Sequence, residues 1–143
     1  VSGFAPDWLA LREPADAEAR APGPVDALRG RLDPARPLRI LDLGTGTGAN
    51  PRYLAPLLGG RQAWLLADDD AAVLAALPGT MGAWAEAVGL EAVRKPAGVL
   101  VRGADFSAEM TIRRIDLAAR VDELPIGCPG LVTASALLDL VSA

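Results

Sequence analysis

Residues 42 to 50 read Asp-Leu-Gly-Thr-Gly-Thr-Gly-Ala-Asn, and they carry the densest chemical signal in the chain. Gly44, Gly46 and Gly48 follow an apolar run at every second position and precede a helical pattern. In an open parallel sheet, ligands bind beyond the carboxyl ends of the strands, and a tight strand-to-helix turn there needs residues without side chains. Such a turn lets backbone N–H groups approach a ligand, while the helix start behind it favours negative charge such as a phosphate or a carboxylate. Thr45 and Asn50 flank the same turn and count with it as ligand-facing candidates.

Three further acids extend the pattern. Asp68 follows Gly44 at close to the spacing at which an acidic residue bonds ribose hydroxyls in dinucleotide folds, because a carboxylate accepts two hydroxyl hydrogens at once. Asp69 and Asp70 compete for that role, and Asp70 also suits the cap of the next helix. Asp116, in "RRIDLA", ends a later strand; its carboxylate could receive an adenine amine while the Leu117 N–H meets a ring nitrogen. Asp42 stands immediately before the glycines. An acid there lies poorly beside a pyrophosphate and well beside an ammonium group, although "GTGTGA" also satisfies the G-x-G-x-x-A form of a nicotinamide-dinucleotide turn.

The groups that are missing narrow the chemistry. The chain has no histidine, which excludes Ser-His-Asp and Cys-His catalysis and His-ligated zinc within it. A single cysteine, Cys128, excludes an intrachain disulfide and a multi-cysteine zinc site. No ligand spacing implies a metal. Proton transfer, where needed, falls to a carboxylate, Tyr53, Cys128, Lys95, the substrate or water.

The elements that must position these residues follow from periodicity. Residues 1–36 read as an N-terminal helical cap broken by turns, with "PDWLALRE" starting at Pro6 and "PVDALRGRL" after the breaker "APGP". Residues 37–143 read as the ligand-binding domain. "PLRILDLG" and "QAWLLAD" are buried parallel strands, and "ANPRYLAPLL" is a helix stopped by Gly59-Gly60. Asp70 caps a helix over "AAVLAAL" that ends at Pro78-Gly79, with another helix near "MGAWAEAVGLEAV". "GVLVRG" and "EMTIRRIDLA" are strand-like and separated by the polar "ADFSA"; they pair as a hairpin or extend one long edge strand. "GLVTAS" is a further short strand. This alternation predicts an α/β fold: a doubly wound, Rossmann-like, mostly parallel sheet with N-terminal capping helices.

The 143 residues, half of them hydrophobic, suffice for a real core, and the net charge of −4 provides no general field for nucleic acid. Apolar runs stop short of membrane-spanning length and no charged-then-apolar leader opens the chain, so we expect a cytoplasmic protein with no membrane partner.

At the glycine turn the sequence resembles the class I S-adenosylmethionine-dependent methyltransferases, whose first motif, D-x-G-x-G-x-G, is matched in full by Asp42 to Gly48. The resemblance continues through "WLLADDD", "RIDLA" and "GLVTASALLDLVS", covering roughly residues 37–142. It implies S-adenosylmethionine as cofactor, with Gly44 and Gly46 along its methionine part, Asp68 at the ribose, Asp116 and Leu117 at the adenine, and Ser135 nearby. "WLALREPAD" is similar to capping helices of a bacterial branch of the family, which would bring Arg12 to the cofactor carboxylate, against a plain surface ion pair with Glu13 or Asp16. The implied reaction is in-line methyl displacement onto an unknown acceptor, with Asp139 on the acceptor side or merely solvated. The family's sheet has seven strands, commonly in order 3-2-1-4-5-7-6. About four are expected here, so the rest belongs to a longer protein or to a second chain that completes the sheet. A nicotinamide-dependent oxidoreductase and a non-catalytic binding or assembly module are the alternative readings.

Overall fold

The computed structural model describes residues 5–124 and 129–135. Two helices come first, α1 (Pro6–Glu18) and α2 (Pro22–Arg29), each with a proline in its first turn. Then follow β1 (Leu38–Leu43), α3 (Ala49–Leu58), β2 (Gly60–Asp68), α4 (Ala71–Ala87), β3 (Glu91–Lys95), β4 (Gly98–Arg102), β5 (Phe106–Arg114) and β6 (Leu131–Ala134). The six strands form one open sheet in the order β3-β4-β5-β2-β1-β6. The ladders among β5, β2, β1 and β6 are parallel, and β3 and β4 add antiparallel at one edge. The chain is thus an α/β protein with a mostly parallel, Rossmann-like sheet.

Period-two alternation divides the core between the two faces. On one face, Ile40, Trp64, Leu66, Val101 and Met110 pack with Leu54, Leu58, Leu77 and Met81 of α3 and α4. On the other, a smaller cluster joins Leu41 and Ala67 to Ile115 and Leu124. β1, buried on both faces at Ile40, Leu41 and Asp42, is the central strand that its near-continuous apolar run predicts. Gln62 locks α3 onto the sheet: its amide donates to the carbonyls of Ala55 and Gly59, both at 2.8 Å, and accepts from Trp64 Nε1 at 2.9 Å. β1 lies between β2, which follows it through α3, and β6, which the chain reaches only after β5, so the strand order reverses at β1. That is the switch point where an open α/β sheet offers a crevice.

Three expectations need correction. The helix starting after Asp70 does not end at Pro78-Gly79 but runs on as α4 to Ala87. Its buried stripe of Val73, Leu74, Leu77, Met81 and Ala85 crosses the proline without a break, so packing against the sheet overrides the local helix-breaking tendency. The second helix expected near residues 81–93 therefore does not exist separately, and Glu91–Lys95 forms the edge strand β3. Only Ala104 and Asp105 of "ADFSA" belong to the connection: Phe106 and Ala108 are buried at the start of β5, which pairs with β4 as a hairpin. The hairpin alternative holds, and the described residues form six strands where about four were expected.

Two glycines test these assignments. A Cβ on Gly98 would overlap the Met110 carbonyl oxygen of the adjacent strand, whereas one on Gly79 would meet nothing within 4 Å. Gly98→Ala is expected to destabilise by about 1–3 kcal/mol through forced displacement of the β4–β5 ladder. Gly79→Ala is expected to stabilise by roughly 0.5–1 kcal/mol, as inside any continuous helix. Denaturant melts measure both; a destabilising Gly79→Ala would show that α4 breaks there.

Candidate functional site

The glycine turn leaves β1 at its carboxyl end and enters α3. Gly44, Gly46 and Gly48 all hold positive φ, at 64°, 54° and 86°. The Thr45 N–H donates to the Ala67 carbonyl at 3.1 Å, and the Gly48 N–H closes the turn on the Thr45 carbonyl at 2.9 Å. The glycines divide their work. A Cβ on Gly48 would collide with Met81 Cε, so this glycine lets α3 approach α4. Gly46 faces the N-terminal segment instead, with Leu9 Cδ1 at 3.6 Å from where its Cβ would stand.

Directly beneath the turn lies Asp42, with 0% of its surface exposed. Its Oδ1 accepts from Asn50 Nδ2 and from Thr133 Oγ1, both at 2.7 Å. Those donors arrive from the first turn of α3 and from β6, where Thr133 is the register partner of Asp42. The other carboxylate oxygen, Oδ2, and the buried hydroxyl of Thr45 make no hydrogen bond of full geometry, although the Thr45 hydroxyl lies close enough to the Asp42 carboxyl to act on it as a donor. Burial pushes the Asp42 carboxyl above its ordinary range; the donors Asn50 and Thr133, the neighbouring Thr45 hydroxyl and the charge of Arg20 oppose that rise. Buried polar atoms are almost always well paired, so the poorly satisfied oxygen of Asp42 makes this turn the candidate site of the chain.

Asp68 closes the turn from the β2 side. Its two oxygens accept from the Gly46 N–H at 2.7 Å and the Asp70 N–H at 3.0 Å. Each oxygen keeps acceptor capacity, since a carboxylate offers about four lone-pair sites. Asp69 is exposed at the same strand end, and its backbone carbonyl accepts from Arg114 Nε at 3.0 Å. Asp70 caps α4, as its position predicts, by accepting from the N–H groups of Ala72 and Val73. Asp116 is exposed and its Oδ1 caps the next turn by accepting from Ala118 and Ala119. Leu117 packs half-buried on the smaller core cluster. Gly44, Thr45, Gly46, Asn50 and Asp68 therefore converge with Asp42, while Asp116 and Leu117 stand beyond the end of β5.

The N-terminal segment reaches this turn through residues that the sequence did not single out. Arg52, its side chain only 4% exposed, pairs with Glu13 of α1 and donates to the Thr47 carbonyl at 2.6 Å. Arg20 donates to Asn50 Oδ1 at 2.6 Å and to Ser135 Oγ at 3.4 Å, with its guanidinium 4.6 Å from the centre of the Tyr53 ring. Arg12 does not take this position. It pairs with Asp16 at 3.1 Å, half exposed, and lies over Trp8. Lys95 is exposed on β3, and Cys128 and Asp139 lie outside the described residues. Among the described residues, no group of three His, Cys, Asp or Glu side chains is arranged to hold a metal ion, and no helix is long and apolar enough to cross a membrane. Comparison of the chain with family models, with curated proteins and with solved structures found no match.

The buried acid sets a pH dependence. Because the folded-state pKa of Asp42 lies above its ordinary 3.8, the stability associated with the neutral acid is complete below that value. It is lost as pH rises through the elevated folded value. Asp42→Asn stays neutral throughout, so its stability relative to the native chain is expected to grow with pH across the acid range. Denaturant melts at successive pH values measure the difference, and a constant difference would contradict the buried-acid geometry.

Proposed function

We propose that this chain is the cofactor-binding part of an S-adenosylmethionine-dependent methyltransferase, with a doubly wound sheet and α1 and α2 as its cap. The observation that supports this most is the unpaired Oδ2 of a fully buried Asp42, directly under a glycine turn at the switch point of the sheet. An ammonium group supplies the missing donors, and the adjacent Thr45 hydroxyl, which makes no hydrogen bond of full geometry, is a second point of contact. A pyrophosphate in that place would face the acid with like charge, which disfavours the nicotinamide reading.

The remaining site residues fit the same ligand. Asp68 already fixes the Gly46 N–H, and its spare lone pairs suit ribose hydroxyls. Asp69 shares that strand end. Asp116 keeps its second oxygen for an adenine amine, beside the backbone of Leu117. The sulfonium of the bound cofactor supplies an activated methyl group. The protein's task is then placement: the turn and its acids hold the adenosyl end, while α1, anchored by Glu13 and Arg52, shields the turn from water.

Equilibrium titration tests this reading. S-adenosylhomocysteine is expected to bind and NADH to bind more weakly; the reverse order would reject the proposal. Gly46→Val forces a β-branched residue to positive φ at the point of closest approach and is expected to abolish binding. Asp68→Ala is expected to weaken it by about 1–3 kcal/mol, the scale of a lost hydrogen bond to a charged group. Unchanged affinity in both variants would place the ligand elsewhere.

A further inference from the structure

On the side away from β6 the sheet ends in β3, which pairs with β4 and, among the described residues, with no strand beyond it. Only Pro96 and Ala97 connect the two strands, so Lys95 and Gly98 form the first hydrogen-bonded pair of the hairpin. Alternation along the ladder then turns the backbone groups of Glu91, Val93 and Lys95 toward β4 and those of Ala92 and Arg94 toward the open edge. Such an edge is a template for another strand, and charged side chains are the usual protection against unwanted pairing. The charges of β3 do not protect it against a copy of itself. Glu91-Ala92-Val93-Arg94-Lys95 is acidic at one end and basic at the other, with Val93 in the middle.

We propose that β3 is a homodimer interface, at which two copies of the chain join their edge strands antiparallel about a two-fold axis through Val93. In that register Glu91 faces Lys95 of the partner subunit at both ends of the contact, Ala92 faces Arg94 of the partner subunit, and the two valines meet at the axis. The outward N–H and C=O groups of Ala92 and Arg94 then find their counterparts, and the two sheets become one. Centring the contact on Arg94 would set like charges face to face, so charge also selects the register. Within the chain Glu91 meets Arg102 at 3.5 Å, but both side chains are more than half exposed, and so weak a pair leaves the acid accessible. α4 fits the same partner. It packs chiefly on β3 and β4, at the margin of the sheet, and from Ala71 to Ala85 it carries no charged side chain to repel its copy across the axis. Three strands separate β3 from β1, so the contact leaves the glycine turn open and holds whatever ligand binds there.

Sedimentation equilibrium of the full chain over a range of concentration and salt tests this. The native chain is expected to form a reversible dimer of twice its 14.8 kDa, more weakly as salt rises. Glu91→Lys and Lys95→Glu each turn both cross-strand ion pairs into like-charge pairs, and each is expected to weaken association by about tenfold or more. Mixing the two variants restores opposite charges at both positions, so the mixture is expected to form a heterodimer of near-native affinity. The double variant Glu91→Lys/Lys95→Glu is expected to self-associate as the native chain does. Ala92→Pro removes an outward N–H without touching the ladder to β4 and is expected to weaken the dimer without unfolding the chain, with circular dichroism melts as the check on folding. A native chain that stays monomeric throughout would overturn the proposal. So would association that neither single variant weakens, or that mixing them fails to restore.

Discussion

A carboxylate taken fully out of water is costly unless its oxygens are matched by donors, and Asp42 has well-formed hydrogen bonds on one oxygen only, with the Thr45 hydroxyl beside the carboxyl as a weaker donor. The surrounding structure is arranged about this imbalance. Alternation along β1 turns Asp42 inward, the parallel register of β6 brings Thr133 alongside, and the first turn of α3 delivers Asn50. The glycine turn brings the buried Thr45 hydroxyl beside the acid, while its glycines add no side chains there. An acid with only a packing role would be satisfied on both sides or replaced by an apolar residue at little cost. One half-satisfied acid at the sheet's switch point is what the proposed ammonium contact rests on.

The second layer of the site is held by arginines. Arg52 is almost wholly buried, ties the glycine turn to α1 through the Thr47 carbonyl and Glu13, and so links the turn's geometry to the N-terminal segment. No residue of α1 is fully buried, so this helix is held by polar contacts at a few points and not by a broad apolar face. An element attached in this way opens at lower free energy than the sheet it covers. That property suits a cover over a ligand, while β1, β2 and α3 remain fixed by the main core.

Much of this was legible in the sequence, for reasons that are local. β1 and β2 announce themselves as short apolar runs, α3 stops at two glycines of positive φ, and Asp70 caps α4 as an aspartate before an apolar helix should. The turn around Gly44, Gly46 and Gly48 could be read because only glycine suits it. What failed was decided by contacts distant in sequence. α4 passes through Pro78 because its buried stripe lies on the sheet, and β3 was hidden because "EAV" continues a helical pattern past Gly89, whose φ of 73° marks the true end. The alternation of Phe106, Ala108 and Met110 was the missed sign of an early start to β5. Arg12 and Arg20 look alike in sequence. Only tertiary placement, across 30 residues to Asn50 and 115 to Ser135, shows which of them reaches the crevice. Thr133 could have been noticed as a hydroxyl in an otherwise apolar strand.

The most direct test of the open oxygen on Asp42 is the proton balance of ligand binding. An ammonium group pairs with the ionised acid, and burial holds this acid protonated to higher pH than usual, so binding in the acid range must expel its proton. With no histidine in the chain, no imidazole titration obscures that window. Calorimetric titration of S-adenosylhomocysteine in buffers of different ionisation enthalpy should show net proton release in acid solution, fading as pH rises, and no such release in Asp42→Asn. Binding without proton release at any pH, or release that persists in Asp42→Asn, would mean that the buried acid is not where the ligand's charge resides.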